Sequence, residues 1–252
     1  MKFALDIAYK GTNYHGWQLQ PNAISVQQLI TEKLSVILGN DVEIVASGRT
    51  DAGVHASQQI AHFEYNTGLP KGFRKSMNAM LPHDIAIQQV LEVGDDFHAR
   101  FDATRRTYHY HLGKEKNPFL QGQFYHFRPP LDVEKMNAAA AYLLHYNDFE
   151  CFSKVHTDVN HFGCDIDKAI WEVKDQSTLV FTIRANRFLR GMVRAVVGTL
   201  IEVGRGRIAV EEVEKIILSK NRKNAGRSVP AEGLFLAKVE YPQESFLKTI
   251  EG

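Results

Sequence analysis

Two cysteines in 252 residues, Cys151 and Cys164, are too few for a disulfide framework. No apolar run approaches the ~20 residues that a bilayer-spanning helix needs, which argues against a membrane partner. The opening stretch, MKFALDIAYKG, alternates like a strand and lacks the apolar centre of a secretory leader, so a cytoplasmic protein is expected. Excess charge of one sign is also missing. The net charge is +1, and bulk composition therefore does not announce a nucleic-acid binder. What is present is ordinary globular material: 44% hydrophobic and 23% charged residues, at a length that suits one large domain or two small ones.

The charge is unevenly spread. Six arginines lie between Arg184 and Arg207 against one acid, Glu202. Four basic residues and no acid lie between Lys220 and Arg227. Such blocks are either solvated faces or local phosphate-binding patches.

Hydrophobic periodicity gives two halves with the same order of elements. Phe3, Leu5, Ile7 and Tyr9 alternate with Ala4, Asp6 and Ala8, the pattern of a half-buried strand. Ser25 caps a helix, Gln28 completes a capping box, and Val26, Leu29, Ile30, Leu34, Ile37 and Leu38 form one apolar face that ends at Gly39-Asn40. Strands are expected at 42–46, 58–65 and 85–93, with a short helix at 71–80. This is the β-α-β-β-α-β order of a ferredoxin-like unit. The second half repeats it with strands near 103–112, 166–174, 179–185 and 234–241, and helices at 132–144, 187–203 and 210–219. The expected class is α+β, with two ferredoxin-like halves, 1–100 and 101–252, merging into one broad, mostly antiparallel sheet with helices on one face. Residues 146–164 show no periodicity and are expected to form a surface loop.

The stretch ASGRTDAGVHA, residues 46–56, joins two of these strands by a path longer than a hairpin needs. Gly48 and Gly53 suggest special backbone angles or close approaches. Spacing alone fits two readings equally: Asp51 as an Asx-turn residue paired with Arg49, or Asp51 as a reactive carboxylate.

GRTDAGVHA is similar to the signature of the tRNA pseudouridine synthase A family, and it does not stand alone. YKGTNYHGWQLQ (9–20) followed by SVQQ, FHARFDATRRTYHY (97–110), NRFLRGMVRAVVGTLIEVGRGR (186–207) and PAEGLFLAKVEY (230–241) resemble further motifs of that family, in the same order along nearly the whole chain. AGRSVPAEG, 225–233, departs from the family's usual wording without touching the residues proposed for chemistry.

The resemblance implies a cytoplasmic isomerase that converts uridines at positions 38, 39 and 40 of the tRNA anticodon stem-loop to pseudouridine. It implies tRNA as partner and a homodimer. By the matching motifs, Asp51 is the essential aspartate. Arg49 helps open the RNA helix, Tyr108 packs on the target base, and Arg194 is the basic partner of the aspartate. The reaction breaks the N1–C1′ bond, turns the uracil and joins C5 to C1′. Nothing is gained or lost overall, so no cofactor and no metal are required. A carboxylate can attack C1′ or C6, or remove a proton, and the sequence does not choose among these routes. The base must leave the stack first, at a few kcal/mol.

Arg187, Arg190 and Arg194 follow i, i+3, i+7 spacing, which on a helix would form one RNA-facing stripe continued by Arg205 and Arg207. Gly191 and Gly198 flank that stripe and suggest room for close approach. Cys151, His156, His161 and Cys164 fit no standard closed zinc site. His55 and His98 read as hydrogen-bonding supports, and Trp17 as a stacking platform or a core residue. The alternative function is a non-catalytic RNA-binding protein of two RRM-like units, although no RNP1 pattern is evident. A carboxylate-dependent hydrolase would want further metal-binding carboxylates near Asp51, and none clusters there in the sequence.

Overall fold

The computed structural model describes residues 1–154 and 161–251, the last by its backbone alone. The chain forms two compact units, Met1–Thr104 with Phe235–Gly252, and Arg105–Leu234. The class is α+β and the strands are mostly antiparallel, as expected. The division differs from a simple cut near residue 100 in one respect. The C-terminal segment packs with the first unit, because its strands pair there.

In the first unit, β1 (Lys2–Tyr9) lies between β3 (His55–Glu64) and β4 (Ile85–Val93), antiparallel to both. The short β2 (Val45–Ala46) pairs with the far side of β3, giving the ferredoxin-like order β4-β1-β3-β2. Two helices, α1 (Val26–Leu38) and α2 (Phe73–Met80), pack on each other, and α2 packs on β4. Phe63 of β3 bridges Phe3 of β1 and Phe73 of α2, with centroids 5.7 and 6.3 Å away. Ser25 caps α1 by accepting the Gln28 amide at 3.2 Å, and Gly39 ends the helix at φ 72°. The reciprocal half of the capping box is replaced, since the Gln28 amide group donates to Glu32 instead.

β1 is not half-buried. Lys2, Ala4 and Asp6 are buried along with the core-facing Phe3, Leu5 and Ile7. Lys2 Nζ donates to the carbonyls of Asp95 and Phe97 at 2.6 and 3.0 Å, and Gln58 donates to Asp6 at 2.9 Å. Polar partners on the second face allow a charged residue to be buried at a position that alternation assigns to solvent.

In the second unit, β5 (Arg105–Gly113), β8 (Thr178–Ala185) and β7 (Ile166–Val173) form an antiparallel ladder in that order. The two-residue β6 (Tyr125–His126) runs parallel to β5. Helix α3 (Val133–Ala141) is capped by Asp132, whose carboxylate accepts the Lys135 amide at 3.0 Å, and packs on β7 and on α4 (Met192–Gly204). A fifth helix, α5 (Glu212–Leu218), follows. β9 (Leu234–Glu240) pairs in parallel with β3 through Phe235 and Leu236, and β10 (Phe246–Glu251) pairs with β4. β6 and β10 were not expected from the sequence. The expected surface loop at 146–164 is, in its described part, core material: Phe149, Cys151, Phe152 and Cys164 are buried. Its apolar residues are irregularly spaced, so burial left no periodic trace.

His62 of β3 is buried beside His98 and accepts the Ala99 amide at 3.1 Å. Burial first, then the charges of His98 and Lys2, push its pKa down to about 4. In the unfolded chain it titrates near ~6.5. The unfolded state therefore binds the extra proton between these values, and this contribution is complete above the upper one. As pH falls through the window, stability should drop by up to ~1.4 kcal/mol per pH unit. Urea unfolding across that window should show a shallower slope for His62→Gln than for the parent. Identical slopes would eliminate His62 as the source.

Candidate active site

Asp51 lies between β2 and β3, in a segment whose backbone is held from both sides. Upstream, the Ser47 amide donates to Ile60 at 2.8 Å, its hydroxyl donates to Gln59, and Gln59 Nε2 donates to the Gly48 carbonyl at 2.8 Å. Thr50 is buried, with its hydroxyl 2.8 Å from that of Tyr9. Exposed Arg49 and half-buried Asp51 flank it. Downstream, the Val54 amide closes a turn on the Asp51 carbonyl at 3.1 Å, with Gly53 at φ +78°.

The segment 9–17 frames this loop. The Trp17 amide donates to the Thr50 carbonyl at 3.3 Å, and the Gly53 amide to the Tyr14 carbonyl at 3.1 Å. The Gly11 amide donates to His55 Nδ1 at 3.0 Å, and the His55 ring stacks on Phe235 with centroids 4.5 Å apart. Two backbones meet closely here. A Cβ on Gly16, at φ +84°, would sit 2.2 Å from the Thr50 carbonyl oxygen. One on Gly11 would sit 1.9 Å from that of Val54. The frame is fixed to α1 through that helix's otherwise unpaired first amides: Val26 donates to the Gly16 carbonyl at 3.2 Å and Gln27 to that of Trp17 at 3.0 Å.

This arrangement corrects the reading of the glycines. Gly48 has ordinary backbone angles and open space where its Cβ would be. Gly53 keeps its special conformation, while the close approaches belong to Gly11 and Gly16. Both stand in YKGTNYHGW, where two glycines within one short motif were the available signal. Trp17 is a core residue, 2% exposed, with its ring 6.2 Å from that of Tyr9. His55 and His98 are supports, as expected: His98 Nδ1 accepts the amides of Arg100 and Phe101 at 3.2 and 3.3 Å.

In the second unit, Tyr108 of β5 is half-buried and meets the edge of Phe188 at 5.2 Å between centroids. Arg194 lies in the first turn of α4. Its Nε donates to the Val229 carbonyl at 2.7 Å, and the Val229 amide returns a bond to the Arg194 carbonyl at 3.2 Å. The departing stretch 225–233 therefore does touch a proposed site residue. It does so through its backbone, at Val229.

The arginine stripe is not formed. α4 starts at Met192, behind Gly191 at φ +71°, so Arg187 and Arg190 precede the helix. Arg187 contacts the His161 ring at 2.8 Å, and the Arg190 carbonyl accepts the Lys154 amide at 3.0 Å. α4 itself is buried nearly all round, leaving Arg194 and Glu202 half-accessible. Gly198 does permit a close approach, but to the chain's own Arg227 carbonyl, 1.8 Å from where a Cβ would stand. Arg205 and Arg207 both bond Glu202, at 2.9 and 3.2 Å.

Cys151 and Cys164 are buried free thiols, pushed by burial to about 12 and about 11 respectively. His156 lies outside the described residues. Among the described residues, no group of three or more His, Cys, Asp or Glu side chains is placed to hold a metal ion. No helix among them is long and apolar enough to cross a membrane.

The profile of the family described as tRNA pseudouridine synthase matches residues 7–102 and 139–242. The chain is 51% identical to tRNA pseudouridine synthase A of Bacteroides fragilis, over 97% of this chain and 98% of that protein. It is 47% identical to the protein of the same name from Porphyromonas gingivalis, over 98% and 99%, and 42% identical to that of Acetivibrio thermocellus, over 94% and 98%. The chain belongs to the tRNA pseudouridine synthase family, which makes it an isomerase.

Gly16→Ala should lower stability by at least about 2 kcal/mol, because a left-handed backbone angle and a carbonyl both oppose the methyl group. Gly48→Ala should be nearly neutral. Urea midpoints of the two variants check this, and equal midpoints would contradict the framing geometry.

Proposed function

We propose that the protein isomerises uridines at positions 38, 39 and 40 of the tRNA anticodon stem-loop, with Asp51 as the reacting carboxylate. The observation that carries this reading is the framed loop. A half-buried carboxylate sits on a backbone pinned before it at Thr50 and after it at Gly53, within the motif shared with the family. A carboxylate held in this way loses little freedom on reaching its sugar–base target. Arg49, exposed and two residues before Asp51 in the same loop, is proposed to occupy the space that the base leaves.

Tyr108 and Arg194 are proposed to bind substrate. A tyrosine face stacking on a displaced uracil contributes on the order of 1–3 kcal/mol. Arg187, Arg190, Arg205 and Arg207 are proposed to meet RNA phosphates. Since Arg205 and Arg207 share Glu202, their contribution to salt-dependent binding should be smaller than four unpaired charges would give. A cytoplasmic homodimer acting without a cofactor completes the proposal.

Tritium release from tRNA carrying C5-labelled uridine tests it. Asp51→Ala should lose release by at least about 10³-fold, as expected when a nucleophile or base is removed. Release at the parental rate would sink the assignment. Arg194→Lys should lower turnover more than tRNA affinity, because Lys cannot reproduce the planar fork that reaches Val229. Equal losses would make Arg194 a phosphate contact instead.

A further inference from the structure

The downstream half of the frame around Asp51 is anchored at the main chain by the His15 amide on the Ile24 carbonyl, at 3.0 Å, and at the side chain by one carboxylate, that of Asp84. This residue stands between α2 and β4, remote in sequence from every motif discussed above. Its side chain accepts the Tyr14 hydroxyl through one oxygen and Asn13 Nδ2 through the other, the latter at 3.0 Å. Its main-chain carbonyl accepts the Lys10 amide at 2.8 Å. Three bonds thus tie one residue to positions 10, 13 and 14. Tyr14 is 7% exposed, and burial, followed by the bond to Asp84 and its charge, raises the phenol above its ordinary value. The direction of that bond is therefore fixed, with the phenol donating and the carboxylate accepting.

Tyr14 passes the constraint on. Its carbonyl accepts the Gly53 amide at 3.1 Å, two residues beyond Asp51. Gly53 sits at φ +78° in the turn that the Val54 amide closes on the Asp51 carbonyl. The upstream half of the frame has a separate anchor, the first turn of α1. If Tyr14 shifts, the upstream bonds keep the loop in place while its downstream turn loses its fixed acceptor. The loop then stays folded, but the direction of the Asp51 carboxylate is no longer set.

We infer that Asp84 is a positioning residue for Asp51, acting through the Tyr14 phenol and the Tyr14 carbonyl. This rests on the reading of Asp51 as the reacting carboxylate. A charged acceptor suits the task, because bonds to carboxylates are shorter and stronger than neutral ones and hold a ring in one orientation. Misplacement of a reacting group by about 1 Å can cost on the order of 10²-fold in rate.

The test uses the full chain and a tRNA transcript with C5-tritiated uridine, under single-turnover conditions with saturating enzyme. Kd for the transcript is measured alongside. Asp84→Ala should lower the rate by about 10- to 100-fold with Kd changed less than about twofold. Tyr14→Phe should fall to a similar rate, and the double variant should be no slower than the slower single, because both remove the same constraint. Asp84→Asn, which keeps an acceptor oxygen for the phenol, should recover part of the rate. An undiminished rate in Asp84→Ala, losses that multiply in the double variant, or a loss confined to Kd would each overturn the inference. Should Asp84→Ala not fold, Tyr14→Phe, which keeps the ring, decides by the same criteria. Asp51→Ala is run in parallel. If it keeps its rate, the reading of the site fails. If it is inactive while Asp84→Ala is intact, only the positioning role fails.

Discussion

The contact between Gly16 and the Thr50 carbonyl sets the path of the loop that carries Asp51. Two loops with no regular structure of their own meet there without room for a methyl group. Nothing larger than glycine lets the Trp17 amide reach Thr50, and that bond holds the residue directly before Asp51. The contact also explains why α1 begins where it does. The carbonyls of Gly16 and Trp17 satisfy amides that a helix cannot satisfy for itself. Loop, frame and helix are thus one hydrogen-bonded assembly, built on the rigid β1–β3 pair.

Electrostatics in the second unit is more local than a count of arginines suggests. Arg205 and Arg207 share Glu202, and Arg105 and Arg184 share Asp167. These pairs are partly exposed, so each contributes little to stability. Their effect is to fix where guanidinium groups point. A positive run in sequence becomes a few oriented charges, with Arg194 held against Val229 by a reciprocal pair of bonds.

Much of this was legible before any coordinates. The strand alternation of β1 and the Ser25 cap and Gly39 stop of α1 are local signals, and they placed those elements to within a few residues. The motif around Asp51 was legible as a motif. Besides β6, β10 and the buried part of 146–164, three things were not. The second face of β1 is buried by polar partners distant in sequence, which periodicity cannot register. The start of α4 was read too early, because Arg187 and Arg190 happen to continue a helical spacing through a glycine that in fact reverses the chain. The weight given to Gly48 belonged to Gly11 and Gly16, since a glycine needed for what lies across from it looks the same in sequence as one that faces open space.

The framed loop also bears on how a polyanion is recognised. Glycine-rich turns beside reactive groups often hold phosphates with their own amides. Here the amides of Gly11, Gly53 and Val54 each donate to an acceptor within the protein, namely His55, Tyr14 and Asp51. Those three donors are committed within the protein. Arg49, the nearest basic side chain in sequence to Asp51, is exposed. The main chain around Asp51 is thus tied to the segment 9–17, while the Arg49 side chain beside it stays exposed.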